Sequence, residues 1–494
     1  MNGEDTDATT DRDGDVTTDR DGDVTTDRDG DVTTERDDDA TTGTRQAAPV
    51  DRPVALTVAG SDSGGGAGVQ ADLKTIEAHG AFGASAVTAV TAQHTRGVES
   101  THVLPAGEVA TQVDAVTGDF DVRAAKTGML ATAEIVELVA ERAAGADFPV
   151  VVDPVMVAAA GDRLLDREAE DAYEDLVAEA ALVTPNADEA EVLTGVAVTD
   201  RESAVAAGEQ LVATGADAAL VKGGHVPGET VRDVLVTPDR TRATRHPRID
   251  TDATHGSGCA LSAAIAARLA LGDDLGEAVE AGVDFVTRAV RYPLDVGEGP
   301  GSVHHSVELR NRAARETTAE EVREVVQEFV DADVSALVPE VGMNVVGATP
   351  YAEGVEETAA VEGRITRTLS GVKPNRGVRF GASSHVARFL LACREFDPGL
   401  RFAANCRFDA DVEAALESVG WPVAAYDRES EPDGVKEEEG STMQWGAKQA
   451  FESLEGTPVA VVDRGEVGKE AMTKVIARDA DQLTERVLTL RGAV

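Results

Sequence analysis

Residues 251–259, TDATHGSGC, place small and flexible residue types directly before an apolar, alanine-rich segment at 260–271. We expect a helix there, so that the backbone amides of Gly256, Ser257 and Gly258 point together at an anion from its positive end. The loop carries no P-loop lysine, so it would cradle a transferring phosphoryl group through amides. The structural alternative is a glycine turn that caps a buried helix.

Cys259 falls in the first turn of this predicted helix. The helix dipole favours a thiolate at that position, which would make Cys259 a candidate base for a substrate hydroxyl. A small core residue is the alternative interpretation. The sequence therefore offers an anion site and a base within four residues.

The elements that must position this loop alternate between apolar runs and helical patterns. Strands are predicted at 54–59, 85–92, 122–127, 148–153, 181–184 and 218–221, with helices around 131–144, 167–178 and 201–214. This alternation predicts βαβ units on a parallel sheet, whose ligands bind beyond the carboxyl ends of the strands. The residues that close the strands are Gly60, Gln93, Asp153, Asn186 and Lys222. Each has a structural alternative, such as helix capping by Asn186.

A glycine-rich loop, GSDSGGGAG at 60–68, lies between the first strand and its helix. It fails the dinucleotide fingerprint because Val69 stands at the third glycine position, and it fails the P-loop because Lys74 is misplaced. We expect its glycines to let the backbone approach a small ligand closely.

Composition limits the class of protein. The 494 residues suggest about three domains. The 91 acidic against 45 basic side chains give a net charge of -46, which argues against nucleic acid and anionic membranes as partners. Acid-rich, lysine-poor composition with 3% aromatic residues predicts a halophilic protein that is soluble at high salt. Three widely spaced cysteines and a polar start without a long apolar run predict a cytoplasmic location.

Residues 1–50 repeat the octapeptide TTDRDGDV from Thr9 to Val32, with a degenerate copy ending at Ala40. This segment has almost no apolar side chains with which to offset the entropy of ordering. We therefore predict a disordered acidic tail. Asp11, Asp13 and Asp15 resemble the start of a calcium loop, but the glycine spacing does not fit one.

The second half begins with a charged helical pattern at 306–329 and continues as a second, smaller α/β domain at 330–494. Strands are predicted at 343–348, 378–381, 401–405, 423–426 and 459–462, and helices near 386–394, 412–419, 443–452 and 480–488. The segment GASSHVAR at 381–388 combines a helix cap with nearby Arg364, Lys373, Arg376 and Arg388, which indicates a phosphorylated ligand. A surface basic cluster is the alternative. The loop DRGEVGKE at 463–470 would suit pyrophosphate with magnesium, or be only an acidic turn.

The first half resembles the hydroxymethylpyrimidine and phosphomethylpyrimidine kinases of the ribokinase superfamily, over about residues 51–305. The resemblance rests on AGSDSGGGAGVQADLK (59–74), TAVTAQ (88–93), KTGML (126–130), DPVM (153–156), TPNADE (184–189), KGGH (222–225) and HGSGC (255–259). It implies a ribokinase-like parallel-sheet domain that phosphorylates hydroxymethylpyrimidine and then its monophosphate, using ATP and Mg²⁺. Kinases of this family are often homodimers.

Site residues follow from this resemblance position by position. Gly60, Asp72 and Gln93 would surround the aminopyrimidine, and Met129 would pack against its ring. Asn186 and Glu189 would hold magnesium through water, and Lys222, with Asp153 beside it, would serve the ATP phosphates. Cys259 stands where related sugar kinases place an aspartate base, which disfavours a sugar substrate; pyridoxal is another alternative.

The second half resembles ThiN-type thiamine-phosphate synthase domains through EGR at 362–364 and the two runs 381–388 and 463–470. The resemblance implies coupling of hydroxymethylpyrimidine diphosphate to thiazole phosphate, with release of pyrophosphate. Arg364 and His385 match positions that this family uses in catalysis, and cations or hydrogen-bond donors suit a pyrophosphate leaving group. The alternative is a kinase with a non-catalytic, thiamine-phosphate-sensing C-terminal module.

Overall fold

The computed structural model describes residues 24–26, 32–34, 50–156, 169–432, 441–466 and 469–494. In the octapeptide repeats, two short strands, β1 (Val24–Thr26) and β2 (Val32–Thr34), pair antiparallel. The six residues of these strands therefore differ from the predicted disorder. The rest of the predicted tail, including the aspartates that resemble a calcium loop, lies outside the described residues.

A large sheet organises the first domain. Its strands are β3 (Val54–Asp62), β4 (Phe82–His94), β5 (Gly97–Val103), β6 (Val122–Thr127), β7 (Val150–Val152), β8 (Leu182–Val183), β9 (Ala219–Val221), β10 (Thr230–Val236) and β11 (Thr241–Pro247). Among the described residues they follow the order β11-β10-β9-β8-β7-β6-β3-β4-β5. The six strands from β9 to β4 in that order are parallel, as the βαβ pattern predicts, whereas β5, β10 and β11 are antiparallel additions at the two edges.

The edge strands β5 and β11, and β10 between β11 and β9, were absent from the sequence prediction. Strand β5 lies at one edge and is mostly exposed, and much of β11 is exposed at the other, so neither carries the apolar run of a buried strand. Helices pack on the sheet: α1 (Gly68–His79), α2 (Ala106–Asp119), α3 (Ala133–Ala144), α4 (Ala169–Ala178), α5 (Ala187–Thr194), α6 (Arg201–Thr214), α7 (Ser257–Ala270) and α8 (Leu275–Arg291).

The predicted linker is two helices, α9 (Val307–Ala313) and α10 (Arg315–Asp331). Helix α10 buries Val322, Val325 and Phe329 in the same apolar cluster as strand residues of the second domain. The helix therefore belongs to the core of the second domain, and its apolar spacing of three and four residues explains why.

The second domain is built on a mixed sheet. Its strands are β12 (Val345–Ala348), β13 (Thr358–Val361), β14 (Ile365–Thr368), β15 (Gly371–Pro374), β16 (Val378–Phe380), β17 (Phe402–Arg407), β18 (Val423–Tyr426), β19 (Ala460–Asp463) and β20 (Met472–Ala477). In the described part of this domain, seven strands follow the order β16-β13-β12-β17-β20-β19-β18, and β14 and β15 form a separate hairpin. Only the pair β18–β19 is parallel in the described main sheet.

Within the described residues, four further helices belong to this domain: α11 (His385–Arg394), α12 (Ala410–Val419), α13 (Ser441–Glu452) and α14 (Ala480–Ala493). Each overlaps a helix predicted from the sequence. Strands β13, β14, β15 and β20 were not predicted, since they are short or interrupted by polar residues. None of the helices in the described ranges is long and apolar enough to cross a bilayer.

Candidate active sites

A cavity of about 640 Å³ opens at the carboxyl ends of the parallel strands in the first domain. All predicted kinase-site residues except Asp72 line it: Gly60, Gln93, Met129, Asp153, Asn186, Glu189, Lys222, Gly256, Ser257, Gly258 and Cys259. Residues separated by up to two hundred positions therefore meet at the sheet edge, as the rule for parallel sheets requires.

The anion loop depends on glycine at position 256. Gly256 has φ of +84° and caps α7, and a Cβ there would overlap the carbonyl oxygen of Gly66. The two glycine-rich loops are thus in direct backbone contact, which only glycine permits in this conformation. The amide of Ser257 already donates to the carbonyl of Thr254 at 3.1 Å, so this amide is partly engaged within the loop.

The structure corrects the expectation of a thiolate at Cys259. Burial raises the pKa of this thiol to about 11, although the neighbouring Lys126 ammonium opposes the shift. The apolar and acidic surroundings therefore outweigh the helix dipole. Cys259 lies at the predicted place in the cavity, but as a protonated thiol at neutral pH.

Asn186 caps a helix and also lines the cavity. Its side chain caps α5 in a capping box with Glu189, with reciprocal bonds of 2.9 and 2.8 Å, and both residues line the cavity. The Lys222 ammonium lies 3.1 Å from Asp153 and 3.8 Å from Glu189. Burial raises the pKa of Glu189 to about 7, with Lys222 opposing the shift and Asp153 adding to it. The Lys222 ammonium thus lies near two carboxylates, that of Asp153 after β7 and that of Glu189 on α5.

Asp72 does not line the cavity, contrary to the role implied by resemblance. Its carboxylate is fully buried, 3.0 Å from the Lys126 ammonium, and accepts a 2.6 Å hydrogen bond from Thr57. Burial raises the pKa of Asp72, and Lys126 opposes that shift. The two residues form a fully buried ion pair that does not line the cavity and acts on Cys259 in opposite directions: Lys126 lowers the pKa of the thiol and Asp72 raises it.

Asp62 and His255 were not predicted as site residues. The Asp62 carboxylate accepts bonds from the amides of Gly64, Gly66 and Ala67 at 2.7 to 3.0 Å, and it lies 3.2 Å from the His255 ring. Burial alone would raise the pKa of Asp62, but the His255 hydrogen bond and these amides hold it below its ordinary value. Asp62 therefore fixes the first glycine loop against the second. An aspartate two residues before a run of glycines was the available signal.

In the second domain, His385 is the first residue of α11 and is accessible to solvent. Partial burial and four cations lower the pKa of its imidazole: Arg364, Arg388, Arg428 and Lys474. The structure therefore brings together both predicted catalytic residues and the predicted Arg388. It adds Arg428 and Lys474, which the sequence analysis did not identify.

Arg364 adopts φ of +82°, an uncommon conformation for a residue with a side chain. Its guanidinium donates to the carbonyl of Val341, and the carboxylate of Glu470 accepts from the amides of Glu340 and Val341. The loop at 463–470 therefore packs beside Arg364, although residues 467 and 468 lie outside the described residues.

Three other predicted cations are either paired with a carboxylate or exposed on a strand. The Arg376 guanidinium lies 3.9 Å from Glu362, and Lys373 is exposed on β15. Lys469, predicted as a pyrophosphate ligand, forms a 2.7 Å ion pair with Glu466.

Comparison with known proteins identifies both halves. The profile of the phosphomethylpyrimidine kinase family matches residues 62–304, and that of the thiamine-phosphate synthase ThiN matches residues 321–489. The chain is 46% identical over 256 residues to a hydroxymethylpyrimidine/phosphomethylpyrimidine kinase from Haemophilus influenzae, covering 51% of this chain and 95% of the relative. A bifunctional thiamine biosynthesis protein ThiDN from Methanocaldococcus jannaschii is 29% identical over 439 residues, covering 88% of this chain and 97% of the relative.

Proposed function

Because the chain belongs to the phosphomethylpyrimidine kinase family and continues into a ThiN-type synthase domain, we propose that it performs consecutive steps of thiamine biosynthesis. The first domain phosphorylates hydroxymethylpyrimidine and then its monophosphate. The second domain couples the resulting diphosphate to thiazole phosphate, which gives thiamine phosphate and pyrophosphate. The observation that carries the kinase assignment is the convergence of the strand-end residues and the anion loop on one cavity.

In the kinase site, Gly60, Gln93 and Met129 hold the pyrimidine. Glycine suits position 60 because a Cβ there would lie only 2.8 Å from the Met129 methyl group. The absence of a side chain therefore lets Met129 pack against the Gly60 backbone at the cavity wall. The amides at the start of α7 receive the negative charge that develops on the γ-phosphoryl group of ATP. Lys222, held by Asp153, neutralises charge on the same phosphates.

Cys259 is mostly protonated at neutral pH in this proposal, so little of it is available as a general base. With a pKa of about 11, only a small fraction of the thiol is ionised at neutral pH, and only that fraction can accept the hydroxyl proton. Stabilisation of phosphoryl charge therefore supplies most of the rate enhancement. In the second phosphorylation the nucleophile is an anionic phosphate, so the base matters less still.

The residues of the cavity fit a magnesium ion. Asn186 and Glu189 carry oxygen donors of the type that Mg²⁺ prefers, and both line the cavity. They would hold the ion through water. When bound, Mg²⁺ neutralises charge between the phosphates of ATP.

In the synthase site, the carbon–oxygen bond between the pyrimidine methylene group and the diphosphate breaks. The electron pair leaves with pyrophosphate, and the thiazole nitrogen supplies the pair for the new carbon–nitrogen bond. Arg364 and three other cations act electrostatically on His385, and in this proposal Arg364 and His385 stabilise the charge on the departing group. This arrangement favours an enzyme over a thiamine-phosphate sensor.

The test is to incubate the purified protein at high salt with hydroxymethylpyrimidine, thiazole phosphate, ATP and Mg²⁺, and to follow the products by mass spectrometry. We expect thiamine phosphate from the wild type, and accumulation of the diphosphate with His385→Ala. His102→Ala, which removes an exposed histidine on β5, is the matched control and should behave as the wild type. Diphosphate as the end product of the wild type would contradict the synthase assignment and support the sensor. Absence of any phosphorylated pyrimidine would contradict the kinase.

A location in the cytoplasm and a dimeric assembly are further proposals, which fractionation and light scattering would test.

A further inference from the structure

Two buried cations in the second domain, Arg428 and Lys474, act on His385. Asp463, at the end of β19, accepts hydrogen bonds from Arg428 Nε at 2.9 Å and Nη2 at 2.7 Å. The Lys474 ammonium, on β20, lies 3.1 Å from the same carboxylate and donates to the Tyr426 hydroxyl at 2.7 Å. The Tyr426 hydroxyl in turn donates to Asp463 at 2.7 Å. The network is almost inaccessible to solvent, since the exposed fractions are 2% for Asp463, 4% for Lys474 and 9% for Arg428.

This network is in contact with the helix that carries His385. The Lys474 ammonium lies 4.8 Å from the centre of the Phe389 ring. Phe389 is one turn after His385, so the two side chains lie on the same face of α11. The Lys474 ammonium therefore lies one helical turn from His385, on the side of α11 where Phe389 packs, and Lys474, Arg428, Arg364 and Arg388 all lower the pKa of the imidazole.

Two buried carboxylates do not balance the cations around His385. Asp463 pairs with both Arg428 and Lys474, and Glu431 acts on Arg428, whereas Arg364 adds a third positive charge that acts on the same imidazole. Burial lowers the pKa of Lys474 even though Asp463 opposes the shift. Holding several cations together in a poorly solvated place is unfavourable unless an anion joins them. A cluster of cations is unexpected in a chain with net charge -46, and an anionic ligand would account for it.

We propose that Arg428 and Lys474, fixed by Asp463 and Tyr426, form with His385 the part of the synthase site that receives the diphosphate group. This inference rests on the proposed synthase function. Asp463 and Tyr426 are positioning residues, while Arg428 and Lys474 bind the anion. As the methylene carbon–oxygen bond breaks, the electron pair moves onto the diphosphate oxygen nearest His385, and these cations stabilise it.

The first test uses full-length Lys474→Met, supplied with hydroxymethylpyrimidine diphosphate and thiazole phosphate. We expect KM for the diphosphate and the inhibition constant of inorganic pyrophosphate to rise together by at least tenfold, with KM for thiazole phosphate within twofold of wild type. Arg428→Lys, which keeps the charge but loses the paired bonds, should give a smaller change. Lys448→Met removes an exposed lysine on α13 and should leave all three constants unchanged. Calorimetric unfolding of each variant, compared with wild type, reports whether the second domain is folded. Unchanged constants in Lys474→Met would overturn the proposal.

The second test needs no variant, so a folding defect cannot obscure it. Hydrogen–deuterium exchange of the wild type with inorganic pyrophosphate should slow exchange at least threefold in peptides from α11, β18 and β20. Inorganic phosphate at equal concentration should protect these peptides less. Equal protection by both anions would reassign the site to a single phosphoryl group, and no protection would overturn it. Wild type that makes no thiamine phosphate, yet is protected by pyrophosphate, would contradict the synthase function while the anion site stands.

Discussion

At the scale of single residues, the kinase cavity is organised by groups whose charges are set by burial. Lys222 lies between Asp153 and Glu189, and Lys126 pairs with Asp72 below them. Burial raises the pKa values of Glu189 and Cys259, so both groups keep their protons to higher pH than exposed groups would. Two predictions follow from these shifts.

Cys259 should react slowly with alkylating agents at neutral pH. The thiolate is the reactive form, and a pKa of about 11 leaves little of it, so we expect alkylation by iodoacetamide at pH 7.5 at least about tenfold slower than for free cysteine. The rate should increase as pH rises towards 11. Mass spectrometry of the labelled peptide measures this, and Cys393 and Cys406, which are fully buried, serve as internal controls that stay unlabelled. Fast labelling at pH 7 would show that the helix dipole outweighs burial.

Glu189 should make magnesium binding depend on pH. The carboxyl is protonated below its pKa of about 7 and ionised above it, and Mg²⁺ binds the ionised form. Between pH 6 and pH 8 the ionised fraction rises about tenfold, so the affinity for Mg²⁺ with ATP should rise by up to about tenfold. Titration calorimetry at the two values measures this. Glu189→Gln should bind more weakly with a flat profile, and an equally steep profile in this variant would exclude Glu189 as the titrating group.

At the scale of elements, α7 connects the anion loop to the domain core. Most of its residues between Ala260 and Ala270 are buried, so the helix is held firmly and its N-terminus cannot shift to fit a changed loop. Its two ends carry glycines with positive φ, Gly256 at +84° and Gly272 at +97°. They differ in their surroundings, which allows a matched comparison.

Gly256→Ala should abolish kinase activity, by more than about a hundredfold, because the new methyl group would overlap the Gly66 carbonyl and push the two glycine loops apart. Gly272→Ala adds a methyl group with no atom within 4 Å, so it should cost only about 1 kcal/mol of stability and leave activity unchanged. Kinetic assays and thermal unfolding of both variants measure this. Comparable loss of activity in both would mean that strain in the helix, rather than contact of the loops, is responsible.

At the scale of the whole molecule, residues from Arg52 to Val494 form one compact unit. Arg288, on α8, donates to Glu357 of the second domain at 2.9 Å and to Glu308 at 2.7 Å. The ring of Tyr351 packs on Tyr292 and His304 at 5.3 and 5.0 Å. Helix α8 also lines the kinase cavity through Val283, Val286, Thr287 and Val290, so the contact between the domains adjoins the wall of the first site.

Arg288→Met should weaken the contact between the domains. Removing one partner leaves the partly buried Glu357 short of a cation, which costs about 2 kcal/mol. We expect calorimetry to resolve two unfolding transitions where the wild type shows one. Arg291→Met breaks a more exposed ion pair with Glu353 and should cost less than about 1 kcal/mol. A single transition in Arg288→Met, at the wild-type temperature, would refute the prediction.

The net charge of -46 predicts that salt stabilises the protein. Repulsion among surface carboxylates falls as the screening length shortens from about 10 Å at 0.1 M salt to about 3 Å at 1 M. The Tm should therefore rise with KCl concentration. An equal osmolality of sucrose separates screening from exclusion effects, and a Tm independent of KCl would contradict a halophilic character.

The sequence by itself determined the parts of this protein that depend on local pattern. Alternating apolar runs fixed the parallel strands, and the residues that close them, such as Asp153 and Lys222, could be placed at one edge because parallel strands share an end. The anion loop at Gly256 was equally local, since a helix N-terminus and small residues suffice to define it. The edge strand β5 escaped prediction because it is mostly exposed and polar, and the inner strand β13 escaped it because four residues are too short a run.

Only the tertiary structure decided which charged groups meet and how deeply they are buried. Asp72 stands in a motif beside ligand-binding residues, yet its partner is Lys126, and no spacing rule reveals that contact. Arg428, in the turn after β18, and Lys474, on β20, act on His385 from far along the chain, and the pKa shift of the Cys259 thiol arises from desolvation. Such effects depend on three-dimensional proximity and exclusion of water, which are properties of the folded core and not of any local run of residues.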